Sequence, residues 1–465
     1  MIGPIALALV AIAFAAATVL LLMLLIDFLV RRADVTAGLL IGSTLVDAFF
    51  ATEVPSLTLP GDVRVAVTDV VATLILCAAF ARSLRTRRLN GYQRWLVVLV
   101  ILLVISLARG IVAFGIQTSV SDFRLMEFLI AGTVYFATVP PDAELYDRIA
   151  KLWVWMSLPL LGVVVARWLA VFTGIDVGIP QEQFGSDAAI RVLDGPYTFY
   201  LAQAFVLTLP AWRQRQGGRP TRMLSVTLLL FVVLLDRRTA WIALLAGMIA
   251  LVLHDRRLGR RAMLAYVAAV GAAIGAYAAI GTATTGGAPV ALEASATGSV
   301  SWRLEGWSVL LSEWARSPMN WLMGEPFGAS YIRSVDGSEV LAPPHNFYIE
   351  MLIRTGVLGL VALLALTAGL LLATWRKTSD DAGVFGSGVL AALLTMQLIW
   401  FVTWVPGLEQ GIVTGVAIAL TARQARNSQL ASQPAGLVAS VPRLQPAPTR
   451  SADVPQPDVR GSGHA

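Results

Sequence analysis

The sequence predicts an all-α, polytopic membrane protein: a bundle of about 12–13 transmembrane helices with one large extracytoplasmic loop that contains short helices. Of its 465 residues, 57% are hydrophobic and only 14% are charged, whereas soluble domains carry about 25% charged residues. The mean hydropathy is +0.73. Several apolar runs are long enough to cross a hydrocarbon core of about 30 Å.

The candidate spans follow one another over most of the chain, with short polar connections between them. Thirteen apolar segments are predicted to cross the membrane: 4–26, 35–52, 64–81, 94–114, 123–139, 151–172, 197–211, 223–236, 239–254, 262–281, 352–375, 384–405 and 407–421. The first lacks a basic start and a clear cleavage site. It is therefore predicted to be a retained helix and not a signal peptide.

Composition divides the chain into three regions. Residues 1–190 form the N-terminal transmembrane spans, and residues 191–422 form a second transmembrane core that includes the long polar loop 282–351. Residues 423–465 are rich in proline, serine and glutamine and nearly free of aromatic side chains. Such a segment cannot bury enough apolar area to fold, so a disordered cytoplasmic tail is predicted.

The basic residues predict which loops face the cytoplasm. Arginine and lysine concentrate in one alternating set of loops, which includes residues 82–88 and 254–261. Cytoplasmic loops carry this excess, so the loop 282–351 and the turn 236–241 face outward and the C-terminus is cytoplasmic. The net charge of +6 resides in these short loops. Topology explains it, and nucleic acid is not expected as a partner.

One histidine stands out as a candidate general base. His254 lies in a basic cytoplasmic loop and His464 in the tail, whereas His345 lies outward, directly before a predicted span. Imidazole has an unperturbed pKa near neutrality, which suits proton transfer. The two prolines before His345 would hold it stiffly above the membrane. The alternative is a loop histidine that caps the following helix.

Four outward arginines are candidate ligands for a diphosphate. Arg237 and Arg238 occupy a turn between two apolar spans, Arg191 lies at the outer end of another span, and Arg303 lies in the long loop. A guanidinium can donate to two phosphate oxygens at once. The alternative is that these side chains reach toward lipid headgroups, as arginine near helix ends commonly does.

The long loop carries its own helical signals. Large apolar residues at helical spacing predict an interfacial helix over Trp302–Ala315. Ser317-Pro318 ends that helix, and Gly324 and Gly328 mark turns after it. Further on, Arg354 follows Glu350 by four residues, so the spacing predicts an ion pair between them.

A metal-dependent site is a weaker alternative. The outer acidic residues Glu53, Asp62 and Asp69 could serve a glycosyltransferase that uses carboxylates and a divalent metal, but their spacing is loose. Solvated loop charges are the favoured interpretation. The single cysteine, Cys77, excludes an intrachain disulfide, and no cysteine–histidine cluster suits zinc. Neither a metal nor a cofactor is expected.

Four stretches together resemble one family, the O-antigen ligase and O-antigen polymerase superfamily of bacterial membrane glycosyltransferases. They are PHNFYIEMLIRTGVLGL (344–360), DRRTAWIALLAGMIALVL (236–253), WRLEGWSVLLSEWARSPMNWLMGEPFGAS (302–330) and RVLDGPYTFYLA (191–202). The resemblance covers roughly residues 190–375 and makes residues 191–422 a ligase-like core. Two features depart from the family pattern: Asp236-Arg237 before Arg238, and Glu325-Pro326 within the glycine loop.

The resemblance implies a reaction of polysaccharide biosynthesis at the cell envelope. A glycan would move from undecaprenyl diphosphate to an acceptor hydroxyl at the outer face of the cytoplasmic membrane, without metal and with inversion. His345 would be the base, and Arg191, Arg237, Arg238 and Arg303 would bind the diphosphate. The implied partners are the lipid-linked donor, a glycan or lipid acceptor, membrane lipid and candidate polysaccharide-assembly proteins.

Two alternatives stay open at this point. A polymerase of the same superfamily would use a second lipid-linked repeat as its acceptor, and the sequence does not separate it from a ligase. A flippase or other transporter for lipid-linked oligosaccharides would require many polar residues within its spans. Few charged residues lie in the middle of the predicted spans, which disfavours transport.

Overall fold

The computed structural model describes residues 4–50, 54–59, 63–84, 90–175, 192–213, 219–285, 294–335, 338–376 and 384–431. Within these ranges the chain is predominantly helical, and the predicted all-α, polytopic membrane fold is confirmed. Residues 1–423 form one compact unit and residues 424–465 a second. The division falls near residue 423, where the predicted tail begins. The predicted boundary at residue 190 stays a prediction.

In its described residues, the N-terminal part of the bundle contains six helices and a short antiparallel hairpin. The helices are α1 (Pro4–Arg31), α2 (Ala33–Phe50), α3 (Val67–Ser83), α4 (Gly91–Phe114), α5 (Ile116–Thr138) and α6 (Ala143–Thr173), and the strands are β1 (Ser56–Leu59) and β2 (Val63–Ala66). Local signals set several boundaries. Asn90 accepts a hydrogen bond from the amide of Gln93, and Asp142 accepts one from Glu144, so each caps its helix.

Among the residues described between 192 and 285, five helices follow. They are α7 (Gly195–Thr208), α8 (Pro210–Arg213), α9 (Arg219–Leu234), α10 (Arg238–His254) and α11 (Arg256–Thr285). The turn between α9 and α10 is as tight as the sequence predicts. Asp236 has a φ of 47°, and its amide donates to the carbonyl of Val233 over 3.2 Å.

The long loop and the C-terminal helices complete the chain. They comprise α12 (Ala294–Trp314), α13 (Pro318–Met323), the antiparallel strands β3 (Ile332–Val335) and β4 (Ser338–Leu341), α14 (Phe347–Trp375), α15 (Ser387–Trp400) and α16 (Gln410–Ala431). The predicted loop helix, Trp302–Ala315, coincides with the C-terminal part of α12, which ends one residue earlier. The β3–β4 hairpin was not expected from the sequence. Of the predicted tail, residues 424–431 continue α16, and residues 432–465 lie outside the described ranges.

Fewer helices qualify as spans by length and composition than hydropathy alone predicts. In the described part of the chain five helices qualify: Phe14–Arg31, Ala33–Phe50, Gly91–Phe114, Ala143–Thr173 and Phe347–Trp375. Two shorter apolar helices, α10 and α15, accompany them. Other predicted spans coincide with helices that are shorter or carry charges. Helix α3, for example, has 17 residues, and α5 contains Asp122, Arg124 and Glu127.

Small residues let the helices of the core approach closely. A Cβ on Gly132 of α5 would lie 3.0 Å from the Cα of Gly411 on α16. A Cβ on Gly247 of α10 would lie 2.9 Å from the Sδ of Met396 on α15. Because lipid tails are as apolar as the helices, close van der Waals packing of this kind is a main source of association in membranes.

A buried guanidinium joins the long loop to the bundle. Arg354 of α14 has no solvent exposure, and it forms an ion pair with Asp122 of α5 at 2.8 Å. The Nη2 that pairs with Asp122 also donates to the carbonyl of Ala329 over 2.8 Å, while Nε donates to the hydroxyl of Tyr331 over 2.8 Å and Nη1 to the carbonyl of Pro326 over 3.2 Å. The expected ion pair between Arg354 and Glu350 is therefore wrong. Tertiary packing brings Asp122 within reach instead.

Two glycines make this junction possible. Gly356 interrupts the helical dihedrals of α14 with a φ of 68°, and Gly324 has a φ of 69° after α13. A Cβ at either position would collide with backbone atoms of the other segment. The amide of Glu325 also donates to the carbonyl of Ile353 over 2.6 Å. Helix α13 is thus seated against the break in α14.

We expect Arg354→Met to lower stability strongly, because it leaves the carboxylate of Asp122 without its partner. Breaking a buried pair from one side typically costs about 3–5 kcal/mol. The measurement is the thermal unfolding midpoint of the purified protein in detergent. The double variant Arg354→Met/Asp122→Leu should recover part of the loss. Arg148→Ala, which removes an exposed pair with Glu144 at 2.8 Å, is the control and should change the midpoint little. Equal losses in the Arg354 and Arg148 variants would contradict this role for Arg354.

Candidate active site

His345 lies directly before α14 with a strained backbone. Its φ is 49°, a left-handed conformation that non-glycine residues adopt rarely and mostly where function or tight packing requires it. The alternative role of helix cap belongs to its neighbour, because the side chain of Asn346 accepts from the amide of Ile349 over 3.1 Å. The imidazole of His345 is half-buried and is not used for capping.

The long loop holds the segment before His345 in place. The indole Nε1 of Trp307 on α12 donates to the carbonyl of Pro344 over 2.6 Å. The guanidinium of Arg333 on β3 donates to the carbonyl of Ala342 over 2.6 Å. Helix α12 and strand β3 thereby hold the segment before His345 by hydrogen bonds at Pro344 and at Ala342. Hydrogen bonds from a charged donor are among the stronger ones in proteins.

Arg303 is placed beside this segment by the geometry of α12. It precedes Trp307 by four residues, so the two side chains share one face of the helix. The guanidinium is half-buried, and burial lowers its pKa. Among the residues that the structure describes, no carboxylate pairs with Arg303. A partly desolvated, unpaired guanidinium is a ready ligand for an anion.

A second arginine, Arg333, was not predicted as a site residue. Its side chain is only 4% exposed, and its guanidinium carbon lies 5.7 Å from the ring centre of Trp302. Burial lowers its pKa. A Cβ on Gly306 would lie 2.7 Å from its Nε, so the glycine of α12 makes room for it. The Nε has no hydrogen-bond partner in the described part of the molecule.

The surroundings keep the imidazole of His345 neutral. Burial is the main cause that lowers its pKa, and the positive charge of Arg303 acts in the same direction. Arg333 adds to this effect, whereas the carboxylate of Asp194 opposes it. With a pKa below the ordinary 6.5, the ring is free to accept a proton at neutral pH. This is the state that a general base requires.

The opposite wall of the site is aromatic. The rings of His345 and Trp404 meet edge to face, with centres 5.7 Å apart. Trp404 stacks on Trp400 at 5.5 Å, and Trp400 stacks on Phe199 of α7 at 4.5 Å. A Cβ on Gly195, at the start of α7, would lie 2.7 Å from the ring of Trp404. The aromatic column thus runs from the core of the bundle to His345.

The predicted diphosphate ligands at the turn between α9 and α10 lie at this same end of the bundle. Arg237 pairs with Asp194 at 3.5 Å and donates to the carbonyl of Leu193 over 3.0 and 2.8 Å. It therefore anchors the start of α7. Arg238 is the first residue of α10 and is half-buried. Arg191 lies outside the described residues.

Asp69, the one acidic residue of the metal-dependent alternative that the structure describes, does not join this site. Asp69 pairs with Arg124 at 2.7 Å and accepts from the amide of Ala66 over 2.8 Å, so it serves the start of α3. Glu53 and Asp62 lie outside the described residues. Within those residues, no group of three or more histidine, cysteine, aspartate or glutamate side chains could hold a metal ion.

Three residues of this site were missed in the sequence. Arg333, Trp404 and Asp194 come from β3, from the turn after α15 and from the residue before α7. Each is unremarkable in its own segment. A count of the arginines in the loop 282–351 that included Arg333 could have pointed to this one residue. The neighbours of the other two are set by the packing of distant helices.

The fold and site define a polytopic membrane protein with a desolvated histidine–arginine centre at one end of its bundle. A family model described as O-antigen ligase matches residues 223–364. The match supports membership of the O-antigen ligase superfamily, which confirms the resemblance found in the sequence. It contains Arg237, Arg238, Arg303 and His345. A comparison with curated proteins finds no match.

We expect the protonation of His345 to depend on Arg303. In a His254→Gln/His464→Gln background, His345 is the only histidine, and its modification by diethyl pyrocarbonate reports the neutral imidazole. The pH midpoint of reactivity should lie below the ordinary value of a histidine. It should rise in Arg303→Gln, because the loss of a nearby positive charge favours the imidazolium. Arg316→Gln, a change at an exposed arginine, should leave the midpoint unchanged. A midpoint that stays or falls in Arg303→Gln would contradict this electrostatic coupling.

Proposed function

We propose that this protein transfers a glycan from a polyprenyl diphosphate carrier to an acceptor hydroxyl, at the outer face of the cytoplasmic membrane. The observation that carries the proposal is that a neutral His345 lies near the half-buried guanidinium of Arg303, which has no carboxylate partner among the described residues. One group can accept a proton, and the other can bind an anion. The family match agrees with this class of reaction.

In the proposed reaction, the imidazole of His345 accepts the proton of the acceptor hydroxyl as its oxygen attacks the anomeric carbon. The bond between that carbon and the phosphate oxygen breaks, and its electron pair leaves with the diphosphate on the lipid. Direct displacement inverts the anomeric centre. The diphosphate is already a good leaving group, so positioning and charge stabilisation suffice without a covalent intermediate.

The arginines have separate tasks in this proposal. Arg303 and Arg238 contact the diphosphate, and Arg191 is proposed as a third ligand. Arg237 holds the start of α7 through Asp194 and Leu193 and thus shapes the site. Arg333 supports the segment before His345 and adds positive potential. In a partly desolvated site such charges act more strongly on a developing anion than they would in water.

Transfer in proteoliposomes tests the proposal directly. The donor is a polyprenyl diphosphate-linked oligosaccharide, and the acceptors offered are a lipid-linked glycan and a second donor molecule. We expect His345→Ala to slow transfer by about 10²–10⁴-fold, as for loss of a general base. Arg303→Gln should slow it by about 10²–10³-fold. Arg303→Lys should retain part of the rate, because charge remains but the planar fork is lost.

The controls separate this reaction from its alternatives. His254→Gln should keep full activity, because His254 contacts Ser387 and Trp375, away from the site. Full activity in His345→Ala would remove the proposed base. Activity that requires added divalent metal would contradict the metal-independent reaction. Product made only from two donor molecules would indicate a polymerase. Movement of the donor between leaflets without transfer would indicate a flippase.

The outward orientation of the site has its own test. In a Cys77→Ala background, we expect Ser330→Cys, in the exposed part of the long loop, to react with a membrane-impermeant maleimide in intact spheroplasts. Arg376→Cys lies at the other end of α14 and should react only after permeabilisation. The reverse pattern would place His345 on the cytoplasmic side and would contradict the proposed location.

A further inference from the structure

A second polar cluster lies deep in the bundle, below the aromatic column. Its centre is Glu409, the residue before α16, which has no solvent exposure. The hydroxyl of Thr44 on α2 donates to its Oε2 over 2.9 Å, while its Oε1 has no hydrogen-bond partner. Within the described residues, no basic side chain pairs with this carboxylate. A buried carboxylate in this state must be neutralised by a proton or a cation.

Two buried glutamines, Gln410 next to Glu409 and Gln203 on a neighbouring helix, also lack hydrogen bonds at their side-chain amides within the described residues. Gln203 of α7 and Gln410 of α16 have no solvent exposure, and the amide oxygen and nitrogen of both lack hydrogen bonds within the described residues. Buried amides without partners are rare in proteins and usually mark an unseen water or ion. The side chain of Gln410 is adjacent to Glu409 both in the chain and in space.

The carboxylate of Glu409 and the amide of Gln410 approach each other beside Gly407. A Cβ at this position would lie 2.9 and 3.0 Å from the two carboxylate oxygens of Glu409 and 3.3 Å from the amide nitrogen of Gln410. Glycine therefore keeps space open where these groups meet. The oxygen and nitrogen of a glutamine amide can exchange positions by a flip of the amide group. The amide oxygen of Gln410 can therefore face the carboxylate of Glu409 across this space.

The remaining glutamine is placed by helix geometry. Gln203 follows Phe199 by four residues on α7, and Gln397 precedes Trp400 by three on α15. Phe199 and Trp400 stack on each other, so both glutamines lie one turn below that stack, on facing sides of the two helices. Gln397 in turn donates to the backbone carbonyl of Gln410 over 2.9 Å. Gln203 thus lies at the level of Glu409 and Gln410.

We propose that Glu409, Thr44, Gln203 and Gln410 form a binding site for a monovalent cation of the size of Na⁺. Hard cations take oxygen ligands, and one carboxylate with neutral hydroxyl and amide oxygens balances a single positive charge. Protonation of Glu409 would neutralise the carboxylate but would leave both amides without partners. A cation, with water completing its shell, engages the carboxylate and the amide oxygens together.

The site has a structural consequence for the proposed active site but does not depend on the reaction. The turn that carries Glu409 also carries Trp404, which contacts His345. The carbonyl of Phe401, the first residue of this turn, accepts a hydrogen bond from the amide of Phe347 over 2.9 Å. A bound cation would therefore stabilise the turn on which the aromatic wall stands.

Two measurements on the purified full-length protein test this proposal. The first is the thermal unfolding midpoint in NaCl, with choline chloride replacing it at constant ionic strength. The second is binding of ²²Na⁺ at equilibrium. We expect Na⁺ to raise the midpoint of the wild type above its value in choline, with one Na⁺ bound per chain. Glu409→Gln should bind no ²²Na⁺ and should unfold at the same temperature in both salts.

Matched variants keep the test decisive if Glu409→Gln folds poorly. Gln203→Met removes an amide of similar size and should weaken Na⁺ binding about tenfold, as for the loss of one good contact. Glu127→Gln is the control, because Glu127 also accepts a threonine hydroxyl bond, from Thr73 over 3.0 Å. It should respond to Na⁺ as the wild type does. Absence of ²²Na⁺ binding by the wild type, or a Na⁺ response retained in Glu409→Gln, would overturn the proposal and leave Glu409 as a protonated acid.

Discussion

The buried guanidinium of Arg354 is the interaction on which the arrangement of the long loop depends. It connects α14 with Asp122 of α5 and with three groups of the segment that follows α13. A charge without solvent contact is tolerated only when its partners are complete. This requirement selects one position of the segment against the bundle. The strands that follow that segment carry Arg333 and lead directly to His345. The position of the site residues therefore depends on the contacts of Arg354.

Desolvation then gives the site its chemical character. His345, Arg303 and Arg333 are gathered at one end of the bundle, and burial is the first cause of the lowered pKa of each. A like-charged group near a histidine favours the neutral imidazole. The same positive potential attracts an anionic leaving group. One arrangement therefore prepares both a proton acceptor and an anion site, which is why the proposed reaction can proceed by positioning and electrostatics.

Much of this could be predicted from local sequence. The histidine before a span, the tight turn with Arg237 and Arg238, the helix containing Trp302 and the turns at Gly324 and Gly328 are each encoded within a few residues. The errors came from interactions at long range. The spacing of Glu350 and Arg354 indicated an ion pair. Arg354 instead pairs with Asp122, more than two hundred residues away along the chain, because packing against α5 buries Arg354 entirely.

The sequence by itself determined that this is a helical membrane protein, which superfamily it resembles, and that His345 and Arg303 are candidate site residues. Hydropathy and short motifs are local properties of the sequence, so they can be recognised without a structure. Only the tertiary structure decided that Arg333, Trp404 and Asp194 surround His345, that Arg237 anchors α7, and that Glu409 lies buried next to Gln410 with a hydrogen bond from Thr44 alone among the described side chains. Those facts depend on which helix ends meet and which side chains lose water, and both are set by the packing of segments far apart in the chain.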